Sequence, residues 1–141
     1  MARHLGDQWV LPAIDDLNRA WFTSGQISVQ VCEDCDAFLH PPDEICSECQ
    51  GNHLSFRACS GSGRIESVVV VHHGIGGLAN SVPYAIALVS LDDAPGVNAI
   101  GNVVNREPAE VEIGQRVNAV FEEVPDADGG PPLLIPQWEV V

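Results

Sequence analysis

Residues 1–11 show no hydrophobic period, and an apolar stripe begins after them. Ile14, Leu17 and Trp21 fall at i, i+3 and i+7 and predict a short helix over 12–22. Pro12 suits its first turn, Asp15 and Asp16 suit the positive end of its dipole, and Gly25 follows as a stop. The period then drops to two. Residues 26–31 and 53–58 alternate polar and apolar positions, as two strands of one ribbon would. Beyond Ser60-Gly61-Ser62-Gly63 the pattern is β throughout: a β-branched run over 64–73, strands over 83–92 and 97–104 joined by a turn at 93–96, and an alternating strand over 115–124. An acidic Gly/Pro-rich loop, 125–132, leads to a last apolar segment, 133–141. Gly101 interrupts the third of these strands, where glycine marks a bulge. The Gly-rich stretch 74–80 lacks the strand–loop–helix setting of a phosphate cradle and reads as a hairpin connection.

Chemistry enters between the two ribbon strands. Cys32-Glu33-Asp34-Cys35 and Cys46-Ser47-Glu48-Cys49 are separated by ten residues. Each Cys-x-x-Cys turn can point two sulfurs at one ion, and the loop brings the second pair round to close a tetrahedron with no position left for water. That is a structural zinc site, one Zn²⁺ per chain, with Cys32, Cys35, Cys46 and Cys49 as ligands. Asp36 and Gly51 follow the knuckles, where a left-handed backbone is tolerated. Two disulfides would be the reading for a secreted chain, but Met1-Ala2-Arg3-His4-Leu5 opens no signal-peptide core. Iron in the same cage, as in a rubredoxin, is the alternative that spacing leaves open. His40 reads as a loop residue and Cys59 as a small buried hydrophobe.

The expected fold is therefore mainly β: an N-terminal helical segment (1–25), a rubredoxin-like zinc ribbon (26–59) and a five-stranded OB-fold barrel (60–141). Charge narrows what such a barrel can do. Twenty acidic residues face six basic ones, none of them lysine, and the net charge is −14; four thiolates and one Zn²⁺ bring it to about −16. Such a field opposes nucleic acid and anionic membrane surfaces, and the chain is expected to be soluble and cytoplasmic. A search for a nucleophile with a base finds Cys59, Ser60, Ser62, His72 and His73 without a motif tying them together, which favours a binding or structural module.

The order of parts carries a resemblance. A helix with Trp21-Phe22, a four-cysteine ribbon, Ser60-Gly61-Ser62-Gly63-Arg64-Ile65, Pro83-Tyr84-Ala85-Ile86 and Ile113-Gly114 ahead of Val117 are similar to the acyl-CoA-associated zinc-ribbon/OB-fold family, over roughly residues 12–124. Asp36 departs from the glycine common after the first knuckle. The resemblance implies a non-catalytic accessory subunit of a thiolase-like acyl-CoA complex, whose larger partner supplies the catalytic groups and whose ligand is a CoA thioester. A subunit of a hot-dog-fold enoyl-CoA hydratase is the alternative within it. Outside it stand a rubredoxin-like electron carrier, a single-strand nucleic-acid binder and a free-standing hydrolase. Arg57, Arg64, Arg106 and Arg116 are the candidate acyl-CoA contacts. Trp21, Phe22 and Trp138, with the segment 133–141, are the candidate partner interface, unless that segment is the fifth barrel strand.

Overall fold

Local side-chain bonding shortens the predicted helix. In the computed structural model, which describes residues 4–7, 9–76 and 81–141, α1 spans only Arg19–Thr23. Asp15 and Asn18 explain the late start: the Asp15 carboxylate accepts from the amides of Leu17 and Asn18, and Asn18 Oδ1 accepts from the Asp15 amide at 2.8 Å. Asn18 also donates to the carbonyl of Ala13 at 2.9 Å, so polar side chains hold 13–18 in a turn that competes with helix. Gly25, at φ 71°, ends the segment as expected.

The ribbon is a three-stranded antiparallel sheet in the order β2–β1–β3, with β1 Ile27–Cys32 in the middle, β2 Phe38–Leu39 and β3 Leu54–Cys59. All six residues of β1 are buried although their sequence alternates. Ile27 and Val29 join the barrel's core cluster on one side. On the other, Gln30 exchanges two hydrogen bonds with the backbone of Asp43, at 2.8 and 2.9 Å, and so fastens the loop between the knuckles over the sheet.

The barrel comprises β4 Ser62–Val71, β5 Tyr84–Leu91, β6 Asn98–Val103, β7 Arg116–Val124 and β8 Leu133–Val140, closed in the order β4–β5–β6–β8–β7. This is the Greek-key closure of an OB fold: consecutive strands form the meander, and β8 inserts between β6 and β7. Segment 133–141 is thus the fifth barrel strand over most of its length. Alternation along β5 sends Ala85, Ala87, Val89 and Leu91 inward. Gly101 pairs with Ala87 in unbroken register, so it makes no bulge; the register shift lies instead in β4, between Ile65 and Ser67. What Gly101 supplies is room, because a Cβ there would sit 2.8 Å from the indole nitrogen of Trp138.

The N-terminal segment straps onto the barrel. Glu122, on β7 and buried, accepts the backbone amides of His4 and Leu5 at 2.8 and 2.7 Å. Farther on, the Trp9 ring packs against Tyr84 with centroids 4.9 Å apart. Of the predicted Gly-rich connection 74–80, residues 77–80 lie outside the described part of the structure. No described helix is long and apolar enough to cross a membrane.

Candidate functional site

The two knuckles repeat each other bond for bond. Cys32 N donates to Ala37 O and Cys46 N to Gly51 O; Asp36 N donates to Cys32 O and Gln50 N to Cys46 O, all within 2.8–2.9 Å. Each turn closes on a left-handed residue directly after its second cysteine, Asp36 at φ 63° and Gln50 at φ 60°. Gln50, rather than Gly51, takes that conformation in the second knuckle. Gly51 is small for another reason: a Cβ there would lie 2.8 Å from an Asp34 carboxylate oxygen and 3.2 Å from Cys49 Sγ.

These turns bring Cys32, Cys35, Cys46 and Cys49 together with all four sulfurs within 4.8 Å of one another. The Cys32–Cys49 and Cys35–Cys46 pairs stand 3.6 and 3.7 Å apart. Sulfurs placed about 2.3 Å from a common centre at tetrahedral angles would be separated by about 3.8 Å, so the cage fits a zinc-sized ion. Those distances are far beyond the roughly 2.05 Å of a disulfide. Backbone amides of Glu48 and Gly51 point at Cys46 and Cys49 sulfur at 3.4 Å, the orientation that supports thiolate charge. Amides from Cys49 and then Glu48 hold the Cys46 thiol down to about 7 against desolvation. At Cys35 the Ala37 amide works in the same direction but is outweighed by desolvation and the neighbouring thiols, which push it up to about 12. Thiols in such mutual conflict are resolved when a cation takes all four.

The remaining candidate residues scatter. Arg64 and Arg116 face each other across β4 and β7. Arg116 grips Asp92 with a bidentate pair, and Arg64 donates to the Gly114 carbonyl at 2.8 Å. Arg57 lies on β3 with its guanidinium 5.5 Å from the Phe38 ring centre, and Arg106 follows β6 on the loop beyond Asn105. The four therefore form no single cluster. Trp138 is fully buried inside the barrel, which corrects its expected place at a partner interface: β8 turns that side chain inward to fill the space beside Gly101. Trp21 is also buried, its ring 4.4 Å from that of His40, while Phe22 is half-buried beside it. His40 is a loop-end residue as expected, and burial pushes its imidazole below the ordinary value. Cys59 is half-buried, and desolvation followed by the nearby Asp93 charge pushes its thiol up, away from nucleophilic use.

Residue types alone did not disclose an apolar groove of about 470 Å³. It runs between the N-terminal strap, the aromatic pair Trp21 and Phe22, the His40–Pro42 turn and the outer face of β5, β6 and β8. Its parts lie far apart in the chain and only folding assembles them.

Two family models match: the ChsH2 rubredoxin-like zinc ribbon domain over residues 23–54 and the ChsH2 C-terminal OB-fold domain over 56–122. A DUF35 domain-containing scaffold protein of Methanocaldococcus jannaschii is 32% identical over 101 residues, which cover 70% of this chain and 70% of the relative. The chain belongs to the DUF35 family. Two further likenesses are found. This DUF35 chain is 34% identical over 87 residues, 62% of its own length, to the 3-oxo-4,17-pregnadiene-20-carboxyl-CoA hydratase alpha subunit of Mycobacterium tuberculosis, of which the match spans 27%. In three dimensions it superposes on a chain of the Ltp2–ChsH2(DUF35) aldolase with a TM-score of 0.77 and 28% identity, covering 92% of the DUF35 chain and 98% of the other.

Proposed function

We propose that this DUF35 chain is a non-catalytic, zinc-bearing accessory subunit of an acyl-CoA-processing complex of the thiolase-like aldolase or acyltransferase type. The observation that carries the reading is the near-complete overlap with a chain of the Ltp2–ChsH2(DUF35) aldolase, 98% of that chain at a TM-score of 0.77. The partner brings the reacting groups, and this chain brings assembly and part of the acyl-CoA environment. Its own chemistry is consistent with that division. The four-thiolate cage has no position for substrate, and Cys59 is held protonated. For the anionic end of CoA the proposed contacts are Arg57, Arg64 and Arg106, since Arg116 is already committed to Asp92.

A second reading, a subunit of an enoyl-CoA hydratase, is favoured by the 34% identity to the hydratase alpha subunit. A polyanionic partner is disfavoured by the net charge of −14. Native mass spectrometry of the chain expressed alone and with the product of its neighbouring gene tests the proposal, read with metal analysis. One zinc per chain and a stable hetero-oligomer with a thiolase-like protein are expected. A hydratase-like partner would select the second reading, a red iron protein would select an electron carrier, and a zinc-bearing monomer that ignores its neighbour would overturn both subunit readings.

A further inference from the structure

The ribbon sheet guards its two edges differently. At one edge β2 is only two residues long and runs into Pro41 and Pro42, which cannot extend a ladder. At the other, β3 keeps six residues in unbroken register with β1, from Cys59 opposite Ile27 to Leu54 opposite Cys32, and it contains no Pro, Gly or Lys. Among the described strands it pairs with β1 alone, so its far edge is open. Its one charged side chain, Arg57, does not cover that edge: the guanidinium leans back across β1 to the Phe38 ring, 5.5 Å from the ring centre. Phe56 is 41% exposed, and Ala58 is exposed beside it. A regular, partly apolar edge of this length is a template for another strand.

The phase of the ladder fixes which backbone groups are left over. Cys32 turns both of its polar groups away from β3, since its amide donates to the Ala37 carbonyl and its carbonyl accepts from the Asp36 amide. One residue on, the Glu33 amide points the other way and donates to the His53 carbonyl at 2.8 Å. Alternation carries this phase back along the pair, so Val31, Val29 and Ile27 bond Ser55, Arg57 and Cys59. The amides and carbonyls of Leu54, Phe56 and Ala58 therefore point outward, and they meet no backbone partner there among the described residues.

We propose that the open edge of β3 is a homodimer interface: a second copy of this chain pairs its β3 antiparallel about a two-fold axis at Phe56, joining the two three-stranded ribbons into one sheet. In this register Phe56 opposes its own copy and Leu54 opposes Ala58, so each facing pair exchanges two hydrogen bonds and no outward group stays unpaired. On the other face of the strand Arg57 falls opposite Ser55, whose hydroxyl is hydrogen-bonded to the Glu33 carboxylate. By leaving Phe38, each Arg57 thus meets the acid of the other copy. Charge and phase select this register. Centring the axis on Arg57 would set two like charges face to face, and centring it on Ser55 would leave Ala58 unpaired. Elsewhere a net charge of −14 holds two copies apart, which confines the contact to this edge. In the dimer the proposed CoA contacts reduce to Arg64 and Arg106, because Arg57 is engaged.

The test follows the zinc-loaded full chain, without a partner enzyme, by sedimentation velocity and hydrogen exchange over a concentration series. A monomer–dimer equilibrium is expected in which the amides of Leu54, Phe56 and Ala58 exchange slowly when concentrated and fast on dilution, while those of Ser55, Arg57 and Cys59 stay slow throughout. Ala58→Pro removes an outward donor and spares the β1 ladder, so it should weaken dimerisation about a hundredfold with metal content and the β1-side amides unchanged. Arg57→Glu should weaken it about tenfold, and adding Glu33→Arg should restore it. A monomer at every concentration, a dimer whose Leu54, Phe56 and Ala58 amides stay fast, or a zinc-loaded Ala58→Pro chain that dimerises like its parent would each overturn the proposal. Should Ala58→Pro lose its metal, the charge exchange decides, and failure to restore the dimer overturns it. Protection of the three amides only when the neighbouring enzyme is added would overturn it too, assigning the edge to a strand of that enzyme. The inference stands apart from the accessory-subunit reading: a dimer that ignores the enzyme supports it and defeats that reading, and an enzyme-bound chain with fast edge amides does the reverse.

Discussion

The five-stranded barrel and the three-stranded ribbon hold their β-structure by different means. The core cluster centred on the barrel holds sixteen buried residues among those described, including Trp138, Ile65, Val89 and Val117, and reaches down to Ile27 and Val29 at the ribbon's base. The ribbon's own cluster holds three among the described residues, and two of those, Cys32 and Cys46, belong to the four-cysteine cage. Apolar burial at about 25 cal/mol per Å² can hold the first together, but three residues cannot offset the conformational entropy of the knuckles. The ribbon is thus a fold whose stability is its ligation, mounted on a fold whose stability is its packing.

The largest test of that contrast is removal of the metal. Chelation, or Cys46→Ser, should abolish stoichiometric metal binding and expose the amides of both knuckles, β2 and β3 to hydrogen exchange, while the slow amides of β5 persist. Structural zinc in zinc-finger peptides contributes about 10–16 kcal/mol, a scale that makes this the dominant effect. Slow exchange at Asp36 and Gln50 in the metal-free chain would break the comparison.

Next in size is Trp138→Ala. Emptying the barrel beside Gly101 should lower the stability measured by denaturant titration by about 3–5 kcal/mol with one metal per chain retained. Loss of the metal in the still-folded variant would show that the ribbon leans on the barrel more than separate clusters suggest.

The smallest effect belongs to surface charge. The bidentate hydrogen bond from Arg116 holds the Asp92 carboxyl below its ordinary value of 3.8, outweighing partial desolvation. A carboxyl whose folded value is depressed contributes stability that is fully present above its unfolded value and lost as pH falls through the folded one. Arg116→Gln should therefore lower the neutral-pH denaturation midpoint only slightly, with variant and parent converging as pH falls below about 3.8. A midpoint shift at neutral pH as large as that of Trp138→Ala would sink the claim that packing, not charge, holds the barrel.

Several elements were legible along the chain because their signals are local. The strands of the meander are β-branched and apolar runs bounded by turn residues, and the turn chemistry at 93–96 sits where β5 gives way to β6. The helix was read too long, since the stripe Ile14, Leu17, Trp21 says nothing of Asp15 and Asn18 bonding each other's backbone. Gly101 looked like a bulge because a lone glycine in a strand signals either a bulge or a close approach, and the partner that decides between them, Trp138, lies in a different strand. Trp138 itself looked like an interface residue because a terminal aromatic segment has the same composition on a surface as in a closing strand.

The division follows from range. Sequence alone determined the four-cysteine cage, since a Cys-x-x-Cys turn builds its own geometry from backbone amides within five residues. It also determined the barrel's meander, since β-branched runs and the turns between them are written into neighbouring positions. Tertiary structure alone decided which face of β8 would be core and which would present Gln137, and how the N-terminal strap would be held. The bond from Leu5 to Glu122 spans 117 residues, and contacts of that range depend on where every intervening strand comes to rest.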